Sequence, residues 1–330
     1  MERVSRGGER GFTPPPLEAP PPVKGKEDPG LYDYWAYENR PKIRWPGGAR
    51  VAFWVAPNIE FYELNPPANP HRKPWPHPYP AVAGYSIRDY GNRVGHVRQM
   101  NLLDKYGIRG SVSLSTALCE HHPEIIDLCL ERDWEFFSHG IYNTRYTYGM
   151  TRAQEKAMIE DAMATIKKHT GQDCAGYLAP ALSHSEHTMD LFAGAGGLYT
   201  CDLFHDDQPT PVRVRNGKKF VSIPYSLEMN DTIVYAVNKV SPRRYGQILK
   251  AHFDRLYEEG AESGTVMCIP THNYQVSCPH RMKAFEEALE YITGHEGVWL
   301  ATGREIAEYF VGHYYDAAVD SIGRGQEQPE

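Results

Sequence analysis

The stretch RVGHVRQMNLLDKYGIRGSVSLSTALCEHHPEIIDLCLERDWEFFSHG (93–140) decides the fold class. It reads as a helix over 93–107 closed by Gly107, a short strand SVSLS (111–115), a second helix over 123–132 and a strand EFFSHG (135–140). The same alternation extends in both directions. Upstream, ARVAFWVAP (49–57) reads as a buried strand. Downstream, TRAQEKAMIEDAMATIKKHTG (151–171) is the clearest helix, with Thr151 as its cap, Glu155 early and Gly171 after a basic last turn. Strands then follow at 174–180, 198–204, 220–226, 265–273 and 298–302, with helices from Ser185, over 242–260, over 279–294 and from Gly303. Such alternation implies one parallel α/β domain, a barrel or a doubly wound sheet. No Gly-rich phosphate loop follows the first strand, and GAGG (194–197) comes after a helix, the wrong order for a dinucleotide fingerprint. A barrel is the better reading.

Composition bounds the function. The net charge of -7 argues against nucleic acid or an anionic membrane as partner. No apolar run approaches the roughly 18 residues of a membrane span, and Met1–Gly11 lacks a signal-like apolar stretch, so a cytoplasmic protein is expected. The six cysteines form no C-x-x-C pair and read as reduced core residues. Residues 1–40 form a Pro-rich arm, in which YDYWAYENR (32–40) is expected to wrap a neighbouring subunit of a homo-oligomer; 41–316 form the barrel and 317–330 a frayed tail. A second proline cluster, NPPANPHRKPWPHPYP (65–80), leaves strand one and is expected to roof the site as a semi-rigid lid.

In parallel α/β proteins the chemistry lies at the C-terminal ends of strands. Those ends carry Asn58, Glu60 and Glu63; Ser138 and His139, then Tyr142, Asn143 and Arg145; Pro180 and His184; Asp202, His205, Asp206 and Asp207; Glu228, Asn230 and Asp231; and His272 with Asn273. One such residue is commonly a loop cap. Carboxylates and imidazoles at nearly every end point to an enzyme, because a closed barrel gathers those ends.

At SHG (138–140), LAP (178–180), DLFHDDQP (202–209), IPYSLEMND (223–231) and PTHN (270–273), order and spacing resemble the NodB-homology polysaccharide deacetylases. The resemblance is strongest to the branch with metal-independent bacterial allantoinases and cyclic-amide hydrolases, and covers roughly residues 41–312. It implies a distorted (β/α)-barrel of about seven parallel strands and hydrolysis of carbon–nitrogen bonds other than peptides. The metal-dependent members carry Thr-Phe-Asp-Asp-Gly and His-Ser/Thr-x-x-His segments. Aligned at Asn58, the resemblance puts Glu60 on the base position and Phe61 on a metal-ligand position. His139 matches the first histidine, but Asn143 stands four residues on. Two of three ligands are thus missing, and no cofactor is the primary expectation. A zinc site using His139, Glu63 and Asp206 is the alternative.

Without a metal to polarise the carbonyl, the expected substrate is a small molecule already electrophilic: a cyclic imide, ureide or hydantoin-like ring. Glu60 is then the general base and His272 the general acid. His139 and Asn143 are expected to orient water or the oxyanion, and Arg145 to bind a substrate carboxylate or carbonyl. Asp206 and Asp207 are expected to orient His272 or bind a ring N–H, with Tyr142 and Asn230 contacting substrate. A metal-dependent deacetylase of an N-acetylated sugar or amine, and a non-catalytic binding protein, are the rival readings.

Overall fold

The computed structural model describes residues 30–67 and 80–326, with backbone only for 325 and 326. Its strands are β1 (Val51–Ile59), β2 (Ser111–Leu114), β3 (Glu135–Ser138), β4 (Gly176–Tyr177), β5 (Tyr199–Thr200), β6 (Thr210–Pro211), β7 (Val221–Ser222), β8 (Thr265–His272) and β9 (Val298–Leu300). All of β1 is buried. Val51, Phe53, Val55 and Ile59 face the layer beneath the helices, while Ala52, Trp54 and Ala56 face the inside of the sheet. This period-2 alternation with both faces apolar is what a helix-covered parallel sheet requires.

Seven strands run parallel in the order β7-β5-β4-β3-β2-β1-β8, with β6 antiparallel on the β7 edge. β8 pairs with β1 along its length, from Val51↔Thr265 to Asn58↔His272. The other edge of β1 is shared by β9 at Val51–Phe53 and β2 at Asn58–Ile59. The sheet curls into a half-barrel, and the chain at 206–208 fills the seam. Val266 N–H donates to the Asp207 carbonyl at 2.9 Å, and Gln208 Nε2 reaches Ser263 Oγ and the Gly264 carbonyl, each at 2.9 Å. The interior is plugged by aromatics: Trp54 meets Phe137 and Tyr225 edge-on at 6.4 and 6.2 Å. Gly176 is obligatory here, since a Cβ would lie 2.0 Å from the Tyr199 ring. The expected distorted barrel of about seven parallel strands is the architecture found.

The helix Arg152–Thr170 has the expected Thr151 capping box and a left-handed Gly171. Two expectations are corrected. The helix read over 93–107 is the end of a longer one: Val82–Tyr90, a π-turn at Gly91–Gly95, then His96–Lys105. The π-turn crosses the end of β8, where Cβ atoms on Gly91 and Gly95 would lie 2.2 and 2.0 Å from Asn273 atoms. The tail after Asp316 is not frayed, because Tyr315–Gln326 is a helix with Ala318, Ser321 and Ile322 buried. Residues 32–40 pack in part on their own chain, with Tyr34 and Tyr37 exposed. Trp35 Nε1 donates to Ser321 Oγ at 2.7 Å, Tyr32 stacks on His205, and Arg40 grips Asp206. The arm before Gly30 and most of the proposed lid (68–79) lie outside the described residues. All six cysteines are free, five of them buried. No described helix is long and apolar enough to cross a membrane.

Candidate active site

β1 delivers Glu60, β3 delivers His139 and β8 delivers His272 to the rim of one cavity of about 380 Å³. Glu60 is 2 % exposed. Its backbone carbonyl accepts from Asn92 Nδ2 in the π-turn at 3.0 Å, so the glycine-permitted crossing also fixes the end of β1. Asn143 Nδ2 donates to Glu60 Oε1 at 2.5 Å and the Tyr274 hydroxyl to Oε2 at 2.8 Å. His139 Nε2 and His272 Nε2 stand 3.4 and 3.6 Å from Oε1. His139 Nδ1 lies 3.0 Å from the Leu178 carbonyl, which can only accept, so Nδ1 carries a proton and Nε2 is the end presented to the cavity.

Asp231 completes the array. Its Oδ1 lies 2.7 Å from His272 Nδ1, and its Oδ2 accepts the backbone N–H groups of His272 at 2.8 Å and Val276 at 3.0 Å. Three donors thus hold the carboxylate in place against the ring. Burial alone would lower His272, but Asp231 and then Glu60 outweigh it and push the imidazole up to about 10. Burial would raise Glu60, but His272 and the bond from His139 hold its carboxyl far below the usual carboxylate range. The buried pair is therefore a carboxylate facing an imidazolium across the neutral range. Burial and Glu60 push the Tyr274 phenol well up, so it remains a donor.

The loop after β4 is shaped to match. Ala181 and Leu182 have φ of 49° and 58°, left-handed values that cost non-glycine residues about 1–3 kcal/mol each. The turn aims the Ala181 N–H at Asn143 Oδ1, 3.0 Å away, while Asp202 anchors Ala179 N–H at 2.9 Å. Asn143 Nδ2 also donates to the Tyr62 hydroxyl at 2.8 Å. Both ends of the Asn143 amide thus have partners inside the protein, and it positions Glu60 while lining the same cavity. Asn230 lines the cavity; its Oδ1 accepts the Thr232 N–H at 2.9 Å, which leaves Nδ2 as the end open to a ligand.

Other expected residues lie elsewhere. Asp206 does not orient His272, because Arg40 Nη1 and Nη2 hold it at 2.8 and 2.6 Å in the seam. Asp207 lies with Glu228 and His252 on a separate cavity of about 490 Å³. Arg145 is held by Glu63 at 2.6 and 2.8 Å, and Tyr142 packs edge-on against Phe61; neither lines the site cavity. Asp231 stood among the strand-end acids, but nothing in the sequence paired it with His272. Tyr274, two residues past His272, and Arg88 on the first helix were not singled out at all.

The residues do not fit a bound metal. Phe61 offers no donor and stacks on His121 with ring centroids 4.1 Å apart. Asn143 turns its amide nitrogen, which cannot ligate, to the Glu60 carboxylate that fills the corner opposite His139. The alternative set of His139, Glu63 and Asp206 is dispersed by the Arg145 and Arg40 ion pairs. Among the described residues, no three His, Cys, Asp or Glu side chains are grouped to hold an ion.

Comparison with known proteins agrees with this architecture. The polysaccharide deacetylase family model matches residues 87–198. The peptidoglycan deacetylase of Helicobacter pylori is 26% identical over 254 residues, covering 67% of this chain and 85% of its own. A probable polysaccharide deacetylase from Pseudomonas aeruginosa PAO1 superposes with a TM-score of 0.75 at 27% identity, covering 83% of this chain and 95% of its own. PuuE allantoinase superposes with a TM-score of 0.76 at 26% identity, covering 89% and 100%. Residues 87–198 thus match the polysaccharide deacetylase (NodB) domain family, and the chain shares its fold with deacetylase and allantoinase relatives that hydrolyse carbon–nitrogen bonds other than peptide bonds.

Proposed function

We propose that this protein hydrolyses the carbon–nitrogen bond of a small cyclic amide, imide or ureide, without a catalytic metal. The observation that carries this reading is the Asp231–His272–Glu60 array in a cavity of about 380 Å³ whose donor set does not suit an ion. A cavity of this size suits one ring-sized molecule.

The pair is already loaded for acid–base work, since Glu60 is deprotonated and His272 protonated at the same pH. Glu60 accepts the proton of an attacking water. His272, held as the imidazolium by Asp231, gives its Nε2 proton to the departing ring nitrogen. The oxyanion meets Asn230 Nδ2. A carboxylate so strongly stabilised is a weak base, which restricts the enzyme to carbonyls already electrophilic. That limit favours an imide or ureide over a simple acetamide. The test is hydrolysis of a cyclic imide and ureide panel, with N-acetylglucosamine as the deacetylase control, by wild type, Glu60→Gln and His272→Ala. Ring opening lost in both variants supports the reading. Turnover of the acetamide alone sinks it.

A further inference from the structure

Arg88 stands apart from the chemistry just described. It comes from the first helix and lines the same cavity as Glu60 and His272. It is the only Arg or Lys among the described residues of that lining. Several arginines elsewhere in the molecule are held by acids: Arg40 by Asp206, Arg109 by Glu305, Arg145 by Glu63 and Arg213 by Asp33. Arg88 has no carboxylate within ion-pair distance among the described residues. Its guanidinium lies 4.2 Å from the Tyr62 ring centroid and 4.9 Å from that of Tyr274. Its Nη1 makes a long 3.4 Å contact to the Gly84 carbonyl, Tyr62 is a side-chain hydrogen-bond partner of the guanidinium, and its Nε is buried with no hydrogen-bond partner.

A buried donor left unsatisfied costs about 1–3 kcal/mol, and more when charged. A planar fork of donors fixed between two aromatic faces matches a carboxylate bidentately. Tyr274 links this cation to the reacting groups, because its ring faces Arg88 while its hydroxyl donates to Glu60. An anion held by Arg88 therefore sits on the far side of the Tyr274 ring from the catalytic carboxylate, with the guanidinium charge to offset the field of Glu60.

We propose that Arg88 binds a carboxylate on the substrate, so that the site selects small amides or ureides carrying a carboxylate a few atoms from the scissile carbonyl. This rests on the hydrolase reading for the bond broken, but the binding claim is tested separately. Calorimetry compares two matched pairs of rings with and without the acid: dihydroorotate against dihydrouracil, and hydantoin-5-acetate against 5-methylhydantoin. Product analysis is run alongside. Wild type is expected to bind the acid of each pair at least about tenfold more tightly. Arg88→Gln should weaken the acids by roughly 10- to 100-fold and leave the neutral rings within threefold, which also shows that the variant is folded. Arg88→Lys should restore only part of the loss. Equal affinities within both pairs, no binding of the acids, or equal weakening of acid and neutral ring by Arg88→Gln would overturn the proposal. Tight Arg88-dependent binding without ring opening would uphold it while refuting the hydrolytic reading.

Discussion

Asp231→Asn isolates the charge that makes His272 an acid. The two Asp231 oxygens serve three donors: the His272 ring and the backbone N–H groups of His272 and Val276. An amide of the same size offers one oxygen. If that oxygen keeps the backbone groups, the amide nitrogen faces His272 Nδ1, which must then accept, and the ring is held neutral with its proton on Nε2. If the amide flips, two buried N–H groups lose their acceptor at about 1–3 kcal/mol each. Holding the ring at about 10 instead of 6.5 corresponds to about 5 kcal/mol of preference for the cation. Asp231 is the largest of the raising influences, followed by Glu60. The sign follows from linkage. The raised His272 stabilises the fold fully below pH 6.5, and this is lost as pH rises through about 10. The depressed Glu60 acts oppositely, stabilising above pH 4.5 and losing its effect as pH falls toward its lowered value. In Asp231→Asn the alkaline limb of kcat/KM should move from near pH 10 toward or below neutrality. At pH 7 the rate should fall about 10²- to 10⁴-fold, the usual worth of a positioned general acid. Nitrogen-15 NMR of the His272 ring reads the titration without any substrate. A ring that still titrates near 10, or turnover within threefold of wild type, would refute the assignment.

Two further substitutions test the scaffold. Gly95→Ala places a methyl group 2.0 Å from the Asn273 carbonyl oxygen, a backbone atom adjoining His272. It should lower stability by at least about 1–3 kcal/mol and reduce turnover, whereas Gly107→Ala, with open space around it, should spare turnover and cost only the strain of its left-handed φ; thermal melts and rates check both. Asp206→Asn should cost about 1–3 kcal/mol by breaking the part-buried pair with Arg40, while kcat/KM stays within threefold. A tenfold loss of rate at unchanged stability would return Asp206 to the site.

The parts of the fold that were legible are those specified locally. The helix at 152–170 carries its own cap and stop, and the apolar run of β1 declares a strand buried on both faces. Strand-end reasoning located Glu60, His139 and His272 because a parallel sheet must bring those ends together. It could not choose which acid meets His272. Asp231 and Asp206 lie at neighbouring strand ends, and the choice depends on Arg40 capturing Asp206 from 166 residues away. Asn143 was expected to face substrate; only the strained turn at Ala181 and Leu182 shows its amide already occupied. The helix bearing Arg88 follows the proline cluster with no capping side chain and no buried residue, so nothing local marked its start. In the C-terminal helix the buried face is made partly of small residues such as Ala318 and Ser321, which pack against Trp35 and other parts of the chain far away in sequence.

The central claim is that Glu60 and His272, with Asp231 behind them, open an electrophilic ring without a metal. Its most direct test is the rate of ring opening by chelator-treated, metal-analysed protein on the imide and ureide panel, measured for wild type, Glu60→Gln and His272→Ala. Full wild-type activity after chelation, lost by at least about 10²-fold in each variant, is the predicted result. Activity that vanishes on chelation and returns with zinc, or that survives both substitutions, would contradict it.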